Sequence, residues 1–572
     1  MPPGDIIIME KLRQRLLGKM VDRLYTIARD AHWQHRPHDT VPLPPPVLNA
    51  WGRSTGVGVS RVLPVVSEAV SSAGQHFLRI ADLQRELGRM VAGHFAAGAA
   101  ATGTTDATDD TDARATHCSA SGVSLAVAAC IQHMAVKRGY ADIPLSRFPL
   151  SSQGEAGAEQ PPRAVLVQAP HCVSYGQPIE QAIRISGAHM VVAGDPAARS
   201  CSLHDVEELL AAGDIAAVLY VHSSLAFSQA PLMHCGGADA DAADAADAAG
   251  AAEAATDGAA TDGAAATGAT TTVDMRFEFA NFAYGLGRGA KRVQQVGLAP
   301  LVGCAHKHGV PVIVDAAACD PLLDSIVATG ADVCVFSVQK YLRGLTCGLV
   351  VGRSGLVRLL DTHHNGFGRA MKPTREGITG AMAALAHAWS PSAPSASSSS
   401  SHRSAVRHME RARAFARDLT TRAPFLDARV VPLATVAHGV GVASSDQRVA
   451  SESARCGAHP HVLVWLATER LPGPLRQQEW ERLGLGDLAH HVADMLGQLQ
   501  PRNVIVCPHS LAAGVIQLEI LDETTDAECE YLITALVHCF LALAPQDITE
   551  QLCSVRSMTE LWSATARLHS KL

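Results

Sequence analysis

The chain carries only eight lysines, Lys11, Lys19, Lys137, Lys291, Lys307, Lys340, Lys372 and Lys571, so a search for a nucleophilic amine is short. Lys340 stands apart from the rest. It follows the apolar segment Asp332–Ser337 and sits in a polar turn, Gln339-Lys340-Tyr341-Leu342-Arg343-Gly344, before the next apolar segment. A lysine held at a strand end in a partly dry pocket can lose its proton and attack a carbonyl, as in a Schiff base with pyridoxal phosphate (PLP); the plainer alternative is a solvated surface lysine. Asp315 ends the run Pro311-Val312-Ile313-Val314-Asp315, 25 positions before Lys340. A carboxylate there could pair with the pyridine nitrogen of that cofactor and keep it protonated, or could cap the helix that follows. Further upstream, Ser119-Ala120-Ser121-Gly122 opens an apolar helical segment, Val123–Val136. Small residues and free amides at a positive helix end form a phosphate cradle, although an ordinary N-cap has the same composition.

Such groups need a sheet to hold them. Near-continuous apolar segments at Ala164–Gln168, His189–Ala193, Ala217–His222, Val310–Asp315, Asp332–Ser337 and Cys347–Gly352 read as buried strands. Helical patterns at Pro178–Gly187, Leu203–Ala212, Leu298–His308 and Pro321–Gly330 alternate with them. This alternation predicts an α/β domain with a mainly parallel sheet covered by helices on both faces, where ligands gather beyond the carboxyl ends of the strands. The predicted large domain spans 47–389. Before it, 1–46 reads as an arm, with an amphipathic helix from Ile8 to Ala31 and the Pro-rich stretch Pro42–Pro46. After it, a Ser-rich linker at 390–404 leads to a smaller α+β domain at 405–572. There a helix (Ala405–Thr420) precedes strand-like Val462–Ala467, Asn503–Cys507 and Gly514–Ile520 and a last helix, Asp526–Leu541. Tracts near 95–115 and 236–272, rich in Ala, Asp, Gly and Thr, read as low-complexity insertions between core elements.

Composition narrows the function classes. With 47 basic against 55 acidic residues, a formal charge of -8 provides no broad cationic field, which disfavours an electrostatically driven nucleic-acid binder. No unbroken apolar run reaches the about 18 residues of a membrane span, and Met1–Glu10 is too polar for a signal-peptide core. A soluble cytoplasmic protein is expected. The 14 cysteines are scattered, with no pair at CxxC spacing, and read as reduced, mostly buried thiols. Gly285-Leu286-Gly287-Arg288-Gly289 is not a dinucleotide fingerprint, no HExxH pair occurs among the 27 histidines, and His363-His364 reads as a polar helix end, so no metal site is expected.

The order of small-residue helix start, strand Asp and strand-end Lys matches the large domain of fold-type-I PLP enzymes. The resemblance sharpens in Val47-Leu48-Asn49-Ala50-Trp51-Gly52-Arg53-Ser54-Thr55, Ile80-Ala81-Asp82-Leu83, Cys118–Leu125, Val312–Ala318, Phe336–Gly344 and Gly366-Phe367-Gly368-Arg369-Ala370-Met371-Lys372. These segments resemble the family of bacterial L-seryl-tRNA(Sec) selenium transferase and D-glucosaminate-6-phosphate ammonia-lyase, and the first and last are closer to the lyase branch. The resemblance implies that Lys340 is the Schiff-base lysine and Asp315 the pyridinium partner. It likewise implies that Ser119, Ala120, Ser121 and Gly122, joined by the Ser337 hydroxyl, hold the phosphate. His171 and the pair His222-Ser223, after two strands, would face the cofactor ring; His171 could equally be a capping or core histidine. Arg53, Arg369 and Lys372 are candidate anion clamps for a small anionic amino-acid-type substrate, with surface salt bridges as the alternative. Where small glycines are expected between Ser337 and Lys340 the sequence has Val338-Gln339, which calls the local turn into question.

The implied chemistry is loss of a β-hydroxyl through an aminoacrylate-like intermediate, with Lys340 moving the Cα proton. Hydrolysis gives a keto acid and ammonia; addition of a selenium donor gives selenocysteine. The second outcome needs a tRNA platform, and no basic, aromatic-interleaved surface is visible in 1–46, so the ammonia-lyase reading is preferred. A catalytically silent scaffold and an aminotransferase or desulfurase of the same fold remain as alternatives. Fold-type-I enzymes commonly share active sites across a dimer interface, so at least a homodimer is implied.

Overall fold

The computed structural model describes residues 3–31, 46–102, 110–140, 143–144, 148–149, 161–174, 177–222, 295–318, 326–390, 398–423, 425–431, 461–466, 485–500, 502–506, 515–521 and 523–543. Ser223, the 236–272 tract and the Gly285–Gly289 segment lie outside the described residues, as do positions 321–325 of one expected helix.

A seven-stranded sheet forms the large domain: β2 (Thr111–Thr116), β3 (Ala164–Gln168), β4 (His189–Ala193), β5 (Ile215–Val221), β6 (Val312–Asp315), β7 (Val333–Ser337) and β8 (Gly348–Arg353). Their order is β2-β8-β7-β6-β5-β3-β4. Only β8 runs against its neighbours; β4, β3, β5, β6 and β7 pair in parallel. Alternate residues of one strand feed two different cores: Val312 and Val314 face one cluster, Ile313 the other. Both faces of the central strands are therefore dry, and β3, β5, β6 and β7 read as near-continuous apolar runs. On the Ile313 side lie α4 (Ser119–Lys137) and α5 (Ile179–Arg184). On the other side lie α2 (Pro64–Gly74), α3 (Ile80–Thr102), α6 (Leu203–Ala211), α7 (Leu298–Lys307) and α8 (Arg375–Trp389). By length and composition α4 is apolar enough to cross a membrane. Every residue from Gly122 to Gln132 is buried in the domain, the burial pattern of a core helix.

The 95–115 tract is not an insertion throughout. Its first part extends α3 to Thr102 and its last part is β2, which pairs with β8 from Thr111↔Arg353 to Thr116↔Gly348; only 103–109 falls outside the described residues. The polar residues that disguised β2 neutralise one another. Arg114 donates to Asp112 (2.7 Å) and Asp361 (2.7 Å), and Arg358 closes the network on Asp112 (3.1 Å).

The smaller lobe holds the antiparallel sheet β12-β10-β9, from β9 (Leu426–Val431), β10 (His461–Leu466) and β12 (Ile516–Glu519). Around it stand α9 (Ser398–Arg422), α10 (Leu485–Gln498) and α11 (Asp526–Leu543). Helix α9 begins inside the run expected to be a linker. The boundary expected at residue 47 also shifts: β1 (Leu48–Ala50) pairs in parallel with β11 (Val504–Val506). Met20, Leu24 and Ile27 of α1 (Pro3–Asp30) share one apolar cluster with Leu419, Val462, Leu518 and Leu536. The arm and the opening segment complete the C-terminal core, because burying the apolar stripe of α1 requires a partner surface. The nine cysteines in the described residues are all free thiols, seven of them buried, as expected.

Candidate active site

The sheet order brings the chemically marked residues to one edge. In the sequence of neighbours β7, β6, β5, β3, the carboxyl ends present Lys340, Asp315, His222 and His171. Strand β2 points the same way, so the start of α4, three residues after Thr116, opens at that edge too.

Asp315 is the last residue of β6 and is 4% exposed. Its Oδ1 accepts the Ala317 amide at 3.0 Å. Burial raises its pKa; the Ala317 amide and the positive charge of Lys340 pull it back down in part. A carboxylate held above its ordinary range beside a lysine favours a cationic partner, which a protonated ring nitrogen would supply.

The turn carrying Lys340 is firm despite Val338-Gln339. Val338 is fully buried; its N–H donates to the Cys347 carbonyl (2.9 Å) and its carbonyl accepts the Gly344 amide (3.1 Å). Thr346 donates to the Gln339 side chain at 2.6 Å, and the Ser60 hydroxyl donates to the Gln339 carbonyl. Arg343 takes the strained φ of 54° that the turn demands, held by its Nε bond to the Arg61 carbonyl at 3.1 Å. Side-chain anchoring thus does what glycines were expected to do. Lys340 itself is half-buried.

At the start of α4 the helix's own bonding begins with the Gly122 amide, which donates to the Cys118 carbonyl (3.0 Å). The amides of Ser119, Ala120 and Ser121 precede it and have no helical acceptor, and no acidic residue occupies the first turn. Gly122 is required by packing: a Cβ there would lie 2.8 Å from Val335 Cγ1 and 3.1 Å from Val350 Cγ2, so a larger residue would push the cradle off the sheet. Ser337, 8% exposed, ends the adjacent β7.

His171 is fully buried at the end of the short 3-10 turn after β3. Its Nδ1 accepts the Val221 amide (3.1 Å), so Nε2 carries the proton and donates to Gln295 Oε1 (3.0 Å). Burial pushes its pKa down to about 4, keeping the ring neutral. Its ring stands edge-on to Tyr220, 4.4 Å between centroids. His222 donates its amide to the Asp315 carbonyl (2.8 Å), tying the ends of β5 and β6.

The three candidate anion clamps stand in different surroundings. Arg53 is buried in an ion pair with Glu523 (2.9 Å) and lies over the Tyr341 ring at 5.3 Å. Glu523, which sequence reading missed, stands 470 positions away with no local signal to mark it. Lys372 lines a cleft of about 770 Å³ together with Arg85, Arg89, Arg114, Arg358 and Asp361. Arg369 is exposed on the 3-10 turn Phe367–Met371. That turn is tied beside the α4 start, where the His117 amide donates to the Met371 carbonyl at 2.9 Å. His363, read as a polar helix end, is instead fully buried against Phe148 (4.6 Å between ring centroids), with its pKa lowered to about 4 by burial.

The residues fit PLP. A buried acid meets the ring nitrogen's need, a half-buried lysine the carbonyl's, and open helix amides the phosphate's.

No family model matches the chain. In sequence it is 26% identical over 341 residues to D-glucosaminate-6-phosphate ammonia lyase of Salmonella typhimurium, covering 59% of this chain and 66% of that one, a little under two thirds of the relative's length. It is 40% identical over 90 residues to 5'-C-glycyluridine monooxygenase-decarboxylase of a Streptomyces species, across 16% of this chain and 22% of the other. Among solved structures it is similar to D-glucosaminate-6-phosphate ammonia-lyase, with a TM-score of 0.52 and 20% identity over 86% of this chain and 96% of that one.

Proposed function

We propose that this chain, a relative of D-glucosaminate-6-phosphate ammonia-lyase in sequence and a fold-type-I PLP enzyme in architecture, is a PLP-dependent lyase. It would eliminate a β-hydroxyl from a small anionic amino-acid-type substrate such as an amino-sugar acid phosphate. The observation that carries this reading is the placement of Asp315 and Lys340 at the carboxyl ends of neighbouring parallel strands, paired through Asp315↔Val335. It lies within the same chain as the 341-residue likeness to an ammonia lyase.

When bound, PLP supplies an electron sink that makes a proton on the carbon beside a bound amine removable. Everything else falls to the chain. Lys340 Nζ is the amine that would hold the cofactor's carbonyl, and it would take up and return the proton on the carbon beside the bound amine. Asp315 would keep the ring nitrogen protonated, and its burial would strengthen that pairing. The Ser119, Ala120 and Ser121 amides, with the Ser337 hydroxyl, bind the phosphate. His171, neutral and fixed by Val221 and Gln295, would stand beside the cofactor ring without adding charge, and His222 leads off the neighbouring strand. Arg369 and Lys372 are clamps for a substrate anion, with Arg53, which is paired to Glu523 and lies over the ring of Tyr341 beside Lys340, as the third. The same reading carries a homodimer and a cytoplasmic location, the first checked by light scattering on the purified chain.

The decisive experiment is a visible absorption spectrum of the chain with PLP, before and after borohydride, for the wild type and Lys340→Ala. A band that borohydride removes and the variant lacks supports the lysine link. D-glucosaminate 6-phosphate and seryl-tRNA are then compared. Keto-acid and ammonia release from the sugar acid alone supports the lyase, and turnover of seryl-tRNA alone replaces it with the transferase.

A further inference from the structure

Far from Lys340 in the sequence, three metal-ligand side chains meet on the outer helices that cover the β6 side of the sheet. Glu207 lies on α6, and Cys304 and His308 lie on the last turn and C-cap of α7. Their ligand atoms all fall within 4.8 Å of one another, and among the described residues no other His, Cys, Asp and Glu group of three does so. Cys304 and His308 are four apart, so they share one helix face. Val206 and Leu210 of α6 pack into the same apolar cluster as Leu301, Cys304 and Ala305 of α7, which fixes the face that Glu207 turns to them.

We infer that Glu207, Cys304 and His308 form a binding site for a zinc-class divalent cation, with water as the fourth ligand. Thiolate, imidazole and carboxylate together suit a borderline-soft dication better than magnesium or calcium, which prefer all-oxygen sets. Tetrahedral bonds of about 2.0–2.3 Å place ligand atoms roughly 3.3–3.8 Å apart, so atoms at the 4.8 Å limit close by at most roughly 1.5 Å. Glu207 is exposed and His308 half-buried, and both can swing that far. On binding, the Cys304 proton leaves to water. The thiolate and carboxylate then neutralise the dication, and the carbonyl end of α7 adds to the attraction. The exposed Glu207 side gives the ion an entrance. The bound ion would staple α6 to α7, and the inference is independent of the lyase reading.

The test uses the full chain saturated with PLP, stripped on a chelating resin and dialysed against zinc. Wild type, Glu207→Gln and His308→Gln are compared for zinc per chain, calorimetric Kd and thermal midpoint. We expect wild type to retain one zinc per chain more than either variant, a loss of at least about tenfold in affinity in each variant, and a zinc-dependent rise in the midpoint seen only in wild type. Glu207 is on the surface, so its variant folds even where Cys304→Ser does not. Equal zinc content and affinity in wild type and Glu207→Gln, or no zinc retained by wild type, would overturn the site.

Discussion

Two buried aspartates at opposite ends of neighbouring strands illustrate how the fold separates stability from chemistry. Asp332 precedes β7 at its amino end and is 1% exposed. Its carboxylate accepts the Val312 amide (2.8 Å) and meets His306 Nε2 (2.8 Å) and Arg353 (3.0 Å), clamping β6, α7 and the end of β8 together. Asp315, at the carboxyl end of β6, is almost as buried but among the described residues takes only the Ala317 amide as a hydrogen bond, and its pKa is raised. The fold satisfies one acid completely and leaves the other needing a cation. A strand-end acid that its own chain under-serves is the one placed for a ligand.

The strongest way to test that contrast is to remove the amine beside the under-served acid. Lys340→Ala should lower turnover by about 10³-fold or more, read as kcat at saturating PLP, with the unfolding midpoint in urea little changed. Next in size is Asp315→Asn, expected to cost about 10²-fold in kcat while raising the unfolding midpoint at neutral pH. The sign follows from linkage: with its folded pKa raised, Asp315 loses stability as pH rises through that window, so at pH 7 its ionisation opposes folding and the amide removes that opposition. Asp332→Asn should do the reverse, losing about 1–3 kcal/mol of stability with kcat per folded molecule retained. A fall in stability for Asp315→Asn, or in kcat for Asp332→Asn, would break the comparison.

Two smaller effects sharpen it. Gly122→Ala forces a methyl against Val335 and Val350, and should cost about 1–3 kcal/mol while weakening PLP affinity in a fluorescence titration. His171 has a folded pKa of about 4 against about 6.5 unfolded, so the unfolded chain takes up a proton first as pH falls. Its contribution is lost between those values at about 1.4 kcal/mol per pH unit in mid-window. Urea midpoints at pH 7 and pH 5 for wild type and His171→Asn should therefore converge toward the lower pH.

Much of this was legible in the chain itself. A strand with no polar interruption, such as Ala164–Gln168, was read with its ends in place because burial on both faces leaves one kind of residue to choose. Asp315 stood out because it ends such a run, and Lys340 because it lies in the polar turn that follows one. Strand β2 was hidden by Asp112 and Arg114, whose burial is offset by Arg358 and Asp361, nearly 250 positions on. The ion pair of Arg53 was hidden for the same reason: its partner Glu523 has no trace near it in sequence. Local pattern reports which residues want to be dry, and says little about distant charges that let polar ones join them.

The pairing of β1 with β11, with Arg502 reaching the Val47 carbonyl across 455 positions, also orders events in time. During synthesis the opening helix leaves the ribosome long before the strand and helices that cover it exist, while the central sheet can close on segments already made. Helix α1 is thus made before the lobe that covers it and is among the last elements to find its place, its apolar stripe staying uncovered until that lobe is complete.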